Sequence, residues 1–143
     1  MVPFGSYNIG DYFQHWLNVG AKGKHQPKIF FVNFFKKDAQ GKFVWPGFGD
    51  NARLLKWIAG RLDGSAKGVE SPIGLLPDYE NNEFDVAGLN MTPAQLHELF
   101  KIDKAEWTNE AKQYRAALES FGDRVPKELF QELDQLEARV RAL

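Results

Sequence analysis

Cysteine is absent from all 143 residues, which excludes a disulfide framework and any thiolate chemistry and is compatible with a reducing cytosol. Histidine is scarce. His15, His25 and His97 are scattered, with no H-E-x-x-H and no paired-carboxylate spacing, so no metal constellation is written in the chain. No G-x-x-x-x-G-K-[ST] stretch occurs, which leaves a triphosphate without a Walker loop. No apolar run approaches the length needed to span a bilayer, and the N-terminus lacks a basic-then-apolar leader. The expectation is a cytoplasmic protein with neither membrane nor nucleic acid as a partner.

Net charge is also small, at −1, but it is unevenly placed. Residues 1–68 hold ten Lys/Arg against four Asp/Glu, and residues 69–143 hold eight against fifteen. The basic half would draw an anionic ligand, although a solvated lysine face explains the same imbalance. A length of 143 residues with 43% apolar and 26% charged residues fits one soluble domain with its own core.

Aromatic residues are abundant, and they are concentrated. Six of the twelve phenylalanines (Phe30, Phe31, Phe34, Phe35, Phe43, Phe48) fall between positions 30 and 48, with Trp45 among them. Phe43-Val44-Trp45-Pro46-Gly47-Phe48-Gly49-Asp50-Asn51 sets rings on a glycine-proline turn that leads into a helix. Gly47 and Gly49 tolerate positive φ and close backbone approach, and Asp50 or Asn51 can accept the first free amides of that helix. Flat rings, open backbone and a helix N-terminus suit a planar heterocycle carrying phosphates. A phenylalanine-rich core at a hairpin base accounts for the spacing equally well. Gly47-Phe48-Gly49-Asp50-Asn51-Ala52 formally fits G-x-G-x-x-G/A, but no second parallel strand ending in an acidic residue follows.

Elsewhere the pattern is mostly helical, and the expected class is α+β: helix-rich, with a small sheet or hairpin bearing the aromatic loop. Asp11 to Val19 predicts a helix capped by Asp11 and ended by Gly20, with His15 a structural residue beside its apolar stripe. Ile29 to Phe35 predicts a buried strand, with Lys42 to Trp45 returning as a second. Asp50 to Leu62 predicts a helix, Val69 to Leu76 a weak strand broken by Pro72 and Gly74, and Pro77 to Asn90 a polar connector. Thr92-Pro93-Ala94-Gln95 is a capping box, Asp103 with Glu106 repeats the device, and Gly122 closes that helix. Pro126 opens the last helix, where Leu129, Leu133, Leu136, Val140 and Leu143 form a seam for a neighbouring helix rather than for a coiled-coil dimer.

Pro27-Lys28-Ile29-Phe30-Phe31-Val32-Asn33-Phe34-Phe35 and Gly41-Lys42-Phe43-Val44-Trp45-Pro46-Gly47-Phe48-Gly49-Asp50-Asn51-Ala52-Arg53 together resemble the guanine-nucleotide segment of GTP-dependent phosphoenolpyruvate carboxykinases. The likeness extends through Tyr7-Asn8-Ile9-Gly10-Asp11-Tyr12-Phe13-Gln14-His15-Trp16-Leu17 and Ser71-Pro72-Ile73-Gly74, and is loosest beyond Asp78. It implies a single C-terminal fragment of a larger enzyme, with residues 1–78 as the guanine-nucleotide part and 79–143 as a helical part, and Met1 as an internal methionine rather than a start. The whole enzyme would convert oxaloacetate and GTP to phosphoenolpyruvate, GDP and carbon dioxide in gluconeogenesis. It would use a divalent metal (Mn or Mg) that this segment does not bind, and would act as a monomer.

Carried over by position, Phe35, Phe43 and Phe48 match the family's ring-cage phenylalanines and Asn51 the asparagine that contacts the base, with Gly49 and Asp50 between them. The implied partners are a guanine nucleotide and the remainder of the same polypeptide, with the segment alone inactive. Phe34 stands where the family commonly has tryptophan and Asp50 where it commonly has glutamate; both keep the chemical character. A contrasting reading from the residues is a stand-alone interaction domain gripping a protein through its aromatic loop and last helix.

Overall fold

The computed structural model describes residues 5–81 and 83–143. Met1, read above as internal, lies outside them, as does Asn82 within the connector. The class is α+β, with five α-helices and one two-stranded antiparallel sheet among the described residues. The chain divides into two compact units, one formed by the described residues through Pro27 with Asp103–Leu143 and the other by Lys28–Ile102.

The first unit is helical. α1 (Ile9–Lys22) starts one turn earlier than its apolar stripe suggests, because the Asn8 side chain accepts from the Gly10 amide at 2.7 Å and takes the capping role expected of Asp11. Asp11 instead pairs with Arg124 at 2.7 Å. Gly20 sits inside the helix, and Gly23 ends it. Gly10 is buried against the Arg124 carbonyl, where an added Cβ would lie 2.5 Å from the oxygen, so no side chain fits. Phe13 meets Phe121 edge-on at 5.9 Å.

α4 (Lys104–Glu119) is capped by Asp103, whose side chain accepts from the Glu106 amide, and the chain turns through Gly122 at φ 84°. α5 (Lys127–Arg141) lies antiparallel on α4, with Leu133 and Val140 of the seam buried. Arg115 fixes the register by reaching both Asp134 (2.6 Å) and Glu137 (3.0 Å), and Lys104 Nζ donates to the Arg141 carbonyl at 2.7 Å. The heptad-like spacing therefore serves a neighbouring helix of the same chain.

The second unit has an aromatic core of Trp45, Trp57, Phe84 and Leu89, with Phe30, Phe34, Leu54, Ile58, Tyr79 and Phe100 packed around it. Its helices are α2 (Asn51–Asp63) and α3 (Pro93–Phe100). α3 carries the complete capping box of Thr92 and Gln95. Val69 to Leu76 is two strands rather than one: β1 (Gly68–Ser71) and β2 (Gly74–Pro77) pair across a two-residue turn at Pro72 and Ile73. The residues that argued for a break are the turn of a hairpin.

The run from Ile29 to Phe35 is not a strand, contrary to expectation. Its side chains do alternate: Phe30, Val32 and Phe34 face inward, while Ile29 is 92% and Phe31 86% exposed. What is missing is a neighbouring strand among the described residues, and at Asn33 the side chain takes the Phe35 amide at 2.8 Å, turning the backbone out of ladder geometry. Phe30 instead packs edge-on against Trp57 at 6.2 Å, and Lys28 Nζ donates to the Arg61 carbonyl, so the segment runs along α2. Lys42 to Trp45 returns through a single bridge, Lys37 to Phe43, and not as a full strand.

Candidate functional site

The site is built on that short return. Asp38 organises the turn, its carboxylate accepting from the Gln40 and Lys42 amides at 2.9 Å each, while Gly41 takes φ 78°. The Lys37–Phe43 bridge, with the Val44 amide on the Lys36 carbonyl, puts Phe35 and Phe43 on one face as diagonal neighbours. Their rings meet edge to face, with centroids 6.0 Å apart and planes at 66°. A base sandwiched between two parallel rings needs two contact distances of about 3.5 Å, about 7 Å in all. The pair is therefore one wall of a site, with no slot between its members. Lys37 Nζ lies 5.2 Å from the Phe43 centroid, adding a cation beside that wall.

Phe48 supplies the other ring. It is 92% exposed, at the start of a single 3₁₀ turn (Phe48–Asp50) that feeds α2. Gly47, at φ 135° and ψ −169°, makes that presentation possible, since this backbone region is closed to residues with a Cβ. Gly49 has no such requirement, so of the two glycines expected to need freedom only Gly47 uses it.

Neither Asp50 nor Asn51 caps α2 as expected. The Asp50 carboxylate is held by Arg53 Nε at 2.8 Å, and the Asn51 carboxamide oxygen accepts from the Trp45 indole at 2.8 Å. The helix start is wound instead by the Asp50 amide on the Gly47 carbonyl and the Asn51 amide on that of Phe48.

Around these residues lies a cavity of about 600 Å³, within the range of small-molecule sites. Phe35, Phe43, Phe48 and Asn51 all line it, with Phe34, Trp45 and Pro46 filling in between and Lys42 the cation among the lining residues. Gly49 and Asp50 are not among its lining residues, and stand beside it in the turn.

Asn90, Met91 and Gln95 close the cavity from a part of the chain that sequence reasoning left as a featureless connector and a helix start. The capping box did locate Gln95, whose side-chain oxygen accepts from the Thr92 amide at 2.8 Å. Nothing in the spacing said that this helix would face the aromatic turn.

Two long cationic side chains hold the cavity's parts in place. Lys36 Nζ donates to the carbonyls of Glu98, Leu99 and Lys101 at the end of α3, tying the residue after Phe35 to that helix. Arg53 joins Asp50 to the loop beyond the hairpin through the Asp85 and Ala87 carbonyls at 3.1 and 2.8 Å. In that loop the Asp85 carboxyl is held below the usual carboxylate range by the Lys56 ammonium at 3.0 Å and by the Ala87 amide.

The family described as the phosphoenolpyruvate carboxykinase C-terminal P-loop domain matches residues 1–139. Relatives named phosphoenolpyruvate carboxykinase [GTP] include one from Paenarthrobacter aurescens strain TC1, 46% identical over 98% of this chain and 23% of its own length. Another, from Thermoplasma volcanium, is 42% identical over 94% of the chain and 22% of its length. A mouse relative, named as mitochondrial, is 43% identical over the whole chain and 22% of its length. The chain thus spans less than a quarter of the curated relatives it matches, and the interaction-domain reading finds no support among them.

Proposed function

Given that the chain belongs to the GTP-dependent phosphoenolpyruvate carboxykinase family, as its C-terminal domain, we propose that its aromatic cavity holds the guanine of GTP or GDP in the whole enzyme. The observation that carries this is the meeting of Phe35, Phe43, Phe48 and Asn51 around one opening. Phe43 and Phe35 form one wall for the base, Phe48 stacks on its other face, and Asn51 reaches its polar edge. Gly49 and Asp50 contribute backbone and turn geometry beside it. Each stacking ring is worth about 1 to 3 kcal/mol, but every base offers such a face, so identity rests on hydrogen bonds at the edge.

The whole enzyme then interconverts oxaloacetate and GTP with phosphoenolpyruvate, GDP and carbon dioxide, a decarboxylating lyase reaction of gluconeogenesis, in the cytoplasm and as a monomer. Its phosphate grip and divalent metal come from the remainder of the polypeptide. Among the described residues no group of three His, Cys, Asp or Glu is placed to hold a metal ion. By itself the chain turns nothing over. The division into a nucleotide part, 1–78, and a helical part, 79–143, is a functional one, with Asn90, Met91 and Gln95 added to the first from across it.

Phe48→Ala and Asn51→Ala in the full-length enzyme test the assignment. Each should lower kcat/KM for GTP about tenfold or more, the size of one lost stack or one unpaired polar contact. Unchanged GTP kinetics in both would remove it.

A further inference from the structure

Trp45 is 7% exposed and belongs to the aromatic core, with its ring 5.9 Å from that of Phe34. Yet its one polar atom points to a residue of the cavity: Nε1–H donates to Asn51 Oδ1 at 2.8 Å. An indole nitrogen is a donor only, so the carboxamide atom facing it has to be the oxygen. That settles which end of the Asn51 amide is occupied. Its nitrogen, with two donors and no acceptor, is the end left for a ligand. Turning the amide over would set N–H against N–H beside a buried ring, leaving both unsatisfied.

On the reading that this cavity binds a base, we propose that Trp45 is a positioning residue for base identity, acting through Asn51. The locked amide offers donors, and so selects a base whose contacted edge carries an acceptor, as guanine does at O6. Adenine carries an amino group at the equivalent carbon and would meet donor with donor. Stacking cannot make this distinction; a fixed amide can. An Asn51 free to rotate would serve either base by turning over.

The test is nucleotide discrimination by the full-length enzyme, read as kcat/KM for GTP, ITP and ATP. Trp45→Phe keeps a core ring but removes the N–H, and should reduce the GTP-to-ATP ratio about tenfold or more, the effect of one unpaired buried polar group. The GTP-to-ITP ratio should hold, because both bases carry O6. A role in packing alone would lower all three rates together and leave the ratios where they were.

Asn51→Asp is the second arm, and leaves the core untouched. Trp45 still donates to one carboxylate oxygen, and the other now presents an acceptor, so preference should move towards ATP. Retention of the wild-type GTP-to-ATP ratio in Asn51→Asp, or in a folded Trp45→Phe, overturns the proposal. Phe48→Ala separates the two levels of argument. If it and Asn51→Ala both leave GTP use intact, the base-binding reading fails. If it impairs every nucleotide while Trp45→Phe preserves the ratio, the cavity stands and only the positioning role falls.

Discussion

Replacing Lys36 with methionine should loosen the far wall of the cavity without touching any ring. The ammonium donates to three carbonyls at the end of α3, two of the bonds partly buried. A hydrogen bond to a charged group contributes about 1.5 to 3 kcal/mol, and a cation at a helix C-terminus adds up to about 1 kcal/mol. These do not sum, because terminal carbonyls freed by Lys36→Met can turn to water. One charged bond, about 2 kcal/mol, is the expected loss.

Local opening is where that loss should be seen, since the last turn of α3 can fray while the rest of the unit stays folded. Two kcal/mol corresponds to about thirtyfold faster amide hydrogen exchange at that turn. Exchange measured by mass spectrometry on the full-length enzyme, in a peptide covering 93–103, reads it directly, with α5 as the internal control. KM for GTP should rise in parallel, because Gln95 and Phe35 are no longer held together. Exchange within about threefold of wild type in that peptide would show that the three contacts contribute nothing and refute the reasoning.

Gly47→Ala should raise KM for GTP and leave the core intact, since a side chain at φ 135° costs about 1 to 3 kcal/mol and the turn that presents Phe48 is what yields; GTP kinetics alongside near-ultraviolet dichroism check both halves. Gly10→Ala should destabilise the first unit by more than about 2 kcal/mol, because its Cβ would meet the Arg124 carbonyl at 2.5 Å; faster exchange across α1 measures it. Asp85 has a depressed folded pKa, so its contribution is complete above the ordinary value of 3.8 and is lost as pH falls below it through the folded value. Asp85→Asn should remove the difference in protection of loop 83–90, measured relative to the intrinsic exchange rate at each pH, between about pH 4.5 and about pH 3.

What was legible in the sequence was local chemistry. The Thr92–Gln95 box, the Asp103 cap, the left-handed turn at Gly122 and the seam of α5 each depend on residues within a few positions of one another, and each appears where its pattern put it, save that Leu143 lies beyond the helix and is exposed. Of the six residues that the resemblance implies for the nucleotide, Phe35, Phe43, Phe48 and Asn51 line the cavity and Gly49 and Asp50 do not. What failed were inferences requiring knowledge of a partner. An apolar run at 29–35 says that something is to be covered, but not that a strand stands alongside to pair with it. The connector at 77–90 has no periodicity to announce that Phe84 and Leu89 join the same core cluster as Trp45 and Trp57. Competition hid the caps: Asp50 and Asn51 are good capping residues, but Arg53 and Trp45 offer their side chains a charged or buried partner instead.

Ile29 and Phe31, two positions apart with their side chains almost wholly in water, make a greasy comb along one margin of the second unit. Teeth of that size and spacing mesh with those of another copy, opposed by the like charges of Lys24, Lys28, Lys36 and Lys37 around them, a repulsion that salt screens. A solution of this polypeptide alone would cloud as its concentration rose. Replacing both teeth with lysine should clear it while leaving the nucleotide cavity unchanged.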